Sequence, residues 1–246
     1  MTTNVKGSVV HSAKKHGALR IGHSSPLWRT RRTIRKVAHA THRARKGASS
    51  RPRLHKRLHV YSNVDEFART FFPRFDATIS KKTALDHVKT MIDQLNYQIV
   101  EADEQKPWGG MYRLADDQIE RFIAEFFPGL TLDEARLGRS DVRLSPKFLL
   151  VEPGKRLSWQ YHVRRAERWH FLLPGSYSHS YEDNPSDVTA AIAGTIVQLA
   201  EGERHRVSTA NATHYTLLAE IWQHTNPTSP SDENDIIRLQ DDYRRA

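Results

Sequence analysis

The chain contains no cysteine, which excludes disulfides, thiolate metal sites and a cysteine nucleophile. No apolar run approaches the ~18 residues needed to cross a bilayer, and the N-terminus lacks the apolar stretch of a secretory signal. Acidic residues are missing from the first sixty positions, where 16 Lys and Arg stand without one Asp or Glu. The other 22 basic and all 28 acidic residues lie in 61–246, so the formal +10 of the 246 residues is a +16 extension on a −6 body. That asymmetry rules out a uniformly basic nucleic-acid-binding domain. No membrane partner is expected, and the chain is expected in the cytoplasm.

Residues 1–60 are rich in Arg, Lys, His, Ser and Thr and poor in periodic apolar residues, so burial cannot offset their ordering entropy. They read as a disordered basic tail. Three meanings stay open for it: an inert or mistranslated leader, an organelle presequence, or a tail that binds the phosphate backbone of nucleic acid. The body is long enough for one core burying about 70% of its unfolded surface.

Within the body, 61–141 reads as a helical extension. Asn63 can cap a short helix that Pro73 stops. Ser80 can cap a longer one with Ala84, Val88, Met91, Ile92 and Leu95 on one face. Asp116–Phe127 repeats the pattern up to Pro128-Gly129, and Thr131 can start a fourth helix. From 142 to 246 the rhythm changes to short strands separated by Gly and Pro turns, the pattern of an all-β sandwich or barrel.

The chemistry concentrates in two places. Gln160 and His162 are two apart, a spacing that puts both side chains on one face of a strand, and Glu167 follows after a tight turn. His205 and Arg206 follow Gly202 at the start of a later strand. Two imidazoles, a carboxylate and an amide oxygen suit one divalent cation: zinc, iron, manganese, cobalt or nickel. By spacing alone a second reading stands beside this: structural strand histidines, with Glu167 paired to Arg165 or Arg168. Trp108, Trp159, Trp169 and Trp222 suit either a sugar-sized pocket or the core.

Both pieces resemble the two cupin motifs, and more closely the cupin half of type II mannose-6-phosphate isomerases. That family's Pro-Gly-Lys-x-Leu-Ser-x-Gln-x-His is matched by Pro153, Gly154, Lys155, Leu157, Ser158, Gln160 and His162. Its Arg-Ala-Glu-x-Trp is matched by Arg165, Ala166, Glu167 and Trp169, and its Gly-x-x-His-Arg by Gly202, His205 and Arg206. Pro107-Trp108-Gly109 and the closing Asp235-Ile-Ile-Arg238, Asp241-Asp242-Tyr243 and Arg245 complete it. The chain departs from the pattern at Val163 and Arg164, at Ala200 and Glu201, at Arg244, and in the insertion 116–139.

The resemblance implies a mainly β fold: a cupin double-stranded β-helix, or jelly-roll barrel, preceded by helices. It implies Gln160, His162, Glu167 and His205 as metal ligands, zinc foremost. It also implies aldose–ketose isomerisation of a phosphorylated sugar through a cis-enediol, a heptose phosphate being one candidate because some single-cupin relatives are labelled phosphoheptose isomerase. Glu167 and Arg245 are the expected catalytic groups, Glu167 as base or as ligand only, and Lys155, Arg156 and Trp159 the expected substrate contacts. A homodimer is a family-level expectation. A non-catalytic sugar-binding cupin and an iron-dependent dioxygenase are the rival functions.

Overall fold

The computed structural model describes residues 64–245; the tail 1–60 lies outside them. Helix α1 spans Val64–Phe71 and α2 Lys81–Gln94. The Ser80 hydroxyl accepts the Thr83 amide at 3.1 Å, and Ala84, Leu85, Val88, Met91 and Ile92 form the buried stripe. Asp116–Gln118 is a 3-10 turn that runs into α3, Ile119–Phe126. Helix α4, Leu132–Ala135, starts with a capping box in which Glu134 Oε2 accepts the Thr131 amide at 2.8 Å.

The segment between α2 and α3 is not helical throughout, as the expectation of a helical extension would have it. It holds two strands, β1 (Ile99–Asp103) and β2 (Gly109–Leu114). Nine more follow: β3 Arg143–Val151, β4 Trp159–Tyr161, β5 Arg165–Phe171, β6 Gly175–Ser180, β7 Thr189–Ala191, β8 Ile196–Leu199, β9 Arg204–Thr209, β10 Thr216–His224 and β11 Ile237–Gln240. All pairings are antiparallel. One sheet runs β1-β2-β3-β10-β5-β8 and the other β11-β4-β9-β6-β7. Strands β3 to β10 therefore alternate between the sheets in the orders 3-10-5-8 and 4-9-6-7, the winding of a jelly roll, or double-stranded β-helix. The hairpin β1-β2 extends the first sheet by pairing β2 with β3.

Period-two alternation splits the first sheet between two cores. Leu217, Ala219 and Ile221 of β10, with Leu144, Phe148 and Leu150 of β3, face outward and are buried against α1, α2 and α3. Leu218 of β10, Leu149 and Val151 of β3, and Trp169 and Phe171 of β5 face inward with Trp108, Met111 and Val207. Burial of each such large side chain is worth about 1.5–3 kcal/mol. Between Trp108 and β2 the backbone passes so close to β3 that a Cβ on Gly109 would lie 1.8 Å from the Leu150 carbonyl oxygen, and the φ of Gly109 is +151°.

Candidate metal centre

The inward row of each central strand turns polar along its length. On β10 it runs Leu218, Glu220, Trp222, His224; on β3 Leu149, Lys147, Ser145; on β5 Phe171, Trp169, Glu167, Arg165. The register sets Glu220 beside Lys147 and Trp169, and Trp222 beside Ser145 and Glu167. The barrel thus carries charged side chains in its own interior, where each must find a partner.

From the opposite sheet, Gln160 of β4 pairs directly with His205 of β9, and His162 sits one residue past β4. His162, Glu167 and His205 are all buried, and one ligating atom of each lies within 4.8 Å of the others. His162 Nε2 is 3.1 Å from Glu167 Oε1, and His205 Nε2 is 3.4 Å from Glu167 Oε2. The second nitrogen of each ring fixes the tautomer. His162 Nδ1–H donates to the Asp235 carbonyl at 2.5 Å, and His205 Nδ1–H to the Glu203 carbonyl at 2.8 Å. Both Nε2 lone pairs are therefore turned toward Glu167, and His205 Nε2 is buried without a hydrogen-bond partner. Backbone-anchored imidazoles with unprotonated Nε2 atoms beside a carboxylate form a donor set that fits a borderline divalent metal.

Electrostatics agree with that donor set. Burial pushes Glu167 up, but the charges of His162, Arg165 and His205 outweigh it and hold the carboxylate well below its usual range. Burial drives His205 down to about 4, so its lone pair is available at neutral pH. Burial first and the neighbouring Glu167 charge second lift Glu220 to about 8. Its Oε1 accepts from Trp169 Nε1 at 2.9 Å, while Trp169 Nε1 also reaches Glu167 Oε2 at 3.2 Å.

The Glu167 side of the centre borders a narrow open cleft. Glu167, Glu220 and Glu233 line it, facing Lys106, Lys147, Arg165, Arg238 and Arg245. Asp103 pairs with Lys106 and Asp241 with Arg245 from beside the cavity, so its cations are matched by carboxylates. Lys147 is 3% exposed, bonds Glu233 Oε1 at 2.7 Å and lies 3.8 Å over the Trp222 ring.

The sequence-derived residues divide. His162, Glu167 and His205 meet; of the three Glu167 lines the cavity, as does Gln160, whose Oε1 accepts from Ser158 Oγ at 2.6 Å. Glu167 is also paired with Arg165, at 2.7 Å, so the structural pairing and the donor set coexist. Arg245 lines the cavity while held by Asp241 at 2.5 Å. Lys155, Arg156 and Trp159 do not line it. Arg156 is bound bidentately by Asp242 at 2.7 and 2.9 Å on the surface, and Lys155 lies 5.9 Å from the Tyr243 ring. Trp159, fully buried, points to the face of β4 opposite Gln160. Trp108, Trp169 and Trp222 do line the cavity.

Sequence reading missed Lys147, Glu220 and Glu233. A lone charge inside the nine-residue apolar strands β3 and β10 was the available signal for Lys147 and Glu220. Asp235 stands in the closing motif without an assigned role; its carboxylate accepts the Val163 and Arg164 amides, both at 3.1 Å, and thereby holds the turn that carries His162.

No protein-family profile matches the chain, and no curated protein matches it. Solved structures similar to it include a candidate sugar phosphate isomerase from Acidithiobacillus ferrooxidans, at 20% identity and a TM-score of 0.28, covering 33% of this chain and 50% of that one. A DMSP lyase from Ruegeria pomeroyi matches at 15% identity and a TM-score of 0.30, over 39% of this chain and 45% of that one. An oxalate decarboxylase from Lactobacillus farciminis matches at 13% and 0.32, over 39% and 26%. The chain spans half or less of the length of these proteins, and matches of this extent assign it no chemistry. By its own strand order the described chain is a cupin-type double-stranded β-helix, with a buried His–Glu–His group inside it.

Proposed function

We propose that the protein is a metal-dependent aldose–ketose isomerase of a phosphorylated sugar. The observation that carries this reading is the donor set itself: His162 and His205, each anchored through Nδ1–H, present Nε2 to the two oxygens of Glu167. The motif resemblance from Lys106 to Arg245 supports the substrate class, and the guanidinium and ammonium groups in the cavity are of the type that binds phosphate. With Lys155 and Arg156 elsewhere, the phosphate contact falls to Lys106, Arg238 and Arg245.

When bound, a divalent ion, zinc foremost, supplies Lewis acidity toward a substrate carbonyl and the adjacent hydroxyl. The chain's own residues do the rest. Glu167 Oε1 accepts from Arg165 and Oε2 from Trp169, and both oxygens face the imidazole Nε2 atoms, so this carboxylate serves as ligand rather than base. Glu233 is paired with Lys147 and Lys106, which leaves Glu220 as the cavity carboxyl to carry the proton between C1 and C2. Its Oε2 lies 3.9 Å from the Lys147 ammonium. Buried Trp169 and Trp222 keep bulk water from the reacting carbons.

The test has two parts. Metal content of the purified protein should be about one transition-metal ion per chain, and His205→Ala should lose it. Phosphorylated aldoses in D2O should acquire deuterium at C2, and Glu220→Gln should abolish that exchange by at least ~100-fold while keeping the metal. Metal without exchange for any sugar phosphate would favour the sugar-binding reading, and oxygen consumption would favour the dioxygenase.

A further inference from the structure

Arg165 is in contact with two of the three candidate ligands. Its Nε–H donates to Glu167 Oε1 at 2.7 Å and its Nη2 to His162 Nε2 at 3.0 Å. The guanidinium therefore bridges the same two residues that a metal would bridge. Its other end is fixed. Nη1 donates to Ser231 Oγ at 2.7 Å and to the Asp232 and Asp235 carbonyls at 3.1 Å each, and Cζ lies 3.9 Å over the Trp222 ring.

The imidazole sets the conflict. His162 Nδ1–H is committed to the Asp235 carbonyl, so Nε2 has a single lone pair. That lone pair accepts the Arg165 proton or binds a metal, not both. Glu167 Oε1 has a second lone pair and can keep Arg165 Nε–H in either state.

We propose that Arg165 is a resident cation that competes with the metal for His162, holding the donor set assembled in the metal-free protein and lowering its metal affinity. The inference rests on the metal-centre reading above. It assigns Arg165 a positioning role and makes metal uptake a swap, in which Nη2 leaves His162 while Nε stays on Glu167. The swap tilts a guanidinium anchored on 231–235, so that segment must yield as the metal binds.

The experiment is zinc titration of the metal-stripped full chain against a chromogenic chelator, for wild type, Arg165→Met, Arg165→Lys and His205→Ala, with thermal unfolding of each with and without zinc. Lysine keeps a positive charge beside Glu167 but gives up Nη2, so it provides a folded test if methionine destabilises the chain. Both variants should bind zinc about tenfold or more tightly than wild type, the size of one charge-assisted hydrogen bond no longer displaced. Metal-free Arg165→Met should melt below wild type, and zinc should close that gap. Equal or weaker zinc binding by the folded variants would overturn the competition. Zinc binding by wild type and variants no better than by His205→Ala would instead overturn the metal centre itself.

Discussion

The pair Lys147–Glu233 offers the sharpest quantitative test of how this barrel tolerates charge in its interior. Lys147 is buried on β3, its ammonium 2.7 Å from Glu233 Oε1, and Lys106 reaches the other oxygen at 3.4 Å. Burial pushes the Glu233 carboxyl up, but Lys147, with help from Lys106 and Arg165, outweighs it and holds the group at about 2 against an ordinary 4.5. Each unit is worth 1.36 kcal/mol, so the depression corresponds to about 3 kcal/mol. The Glu233 side chain is 32% exposed and Lys106 shares it, which leaves about 2 kcal/mol for the Lys147 pair. The sign follows from the depressed folded pKa. The unfolded chain binds the proton first, so the contribution is complete above pH 4.5 and is lost as pH falls toward 2. Denaturant unfolding of wild type, Lys147→Met, Glu233→Gln and the double variant at pH 7 should give a coupling of about 2 kcal/mol, with Lys147→Met alone costing about 3–5 kcal/mol. Between pH 4.5 and 2, wild type should lose about 2 kcal/mol more than Glu233→Gln. A coupling below ~0.5 kcal/mol, or equal acid slopes, would mean that the pair behaves as an exposed surface bridge, and the reasoning would fail.

Two further outcomes follow from the scaffold around the centre. Gly109→Ala, whose Cβ would meet the Leu150 carbonyl at 1.8 Å, should destabilise the chain by about 3 kcal/mol or more, read by thermal unfolding. Wild-type stability in that variant would show that β2 can move away from β3. Asp235→Ala removes the acceptor of the Val163 and Arg164 amides and of Ser231 Oγ. It should weaken zinc binding about 10–100-fold by freeing the turn that carries His162; unchanged affinity would show that the backbone alone fixes that ring.

Local pattern settled a good part of this protein. The Ser80 cap with its apolar stripe, the run Ile119 to Phe126 and the helix start at Thr131 each depend on residues three or four apart within one helix, so sequence spacing and structure coincide. The same holds for β3 to β10, whose turns carry Gly and Pro signals. Strands β1, β2 and β11 escaped: β1 and β11 are short with half-exposed faces, β2 opens on two glycines, and pairing rather than propensity makes them strands. At the site, spacing put Gln160 and His162 on one face and offered Glu167 and His205 as further donors, and the motif resemblance implied their joint role as ligands.

Only the tertiary structure could decide what these residues meet. His162 and His205 are turned toward Glu167 by carbonyls of Asp235 and Glu203, one of them 73 residues away in sequence. Lys155 and Arg156 flank the motif yet stand outside the cavity, while Lys147, Glu220 and Glu233 enter it from distant strands and a loop. Strand alternation is local and can be read from the chain. Which two sheets close over one another, and so which inward rows share a cavity, depends on contacts between residues far apart in sequence, and no local pattern encodes those.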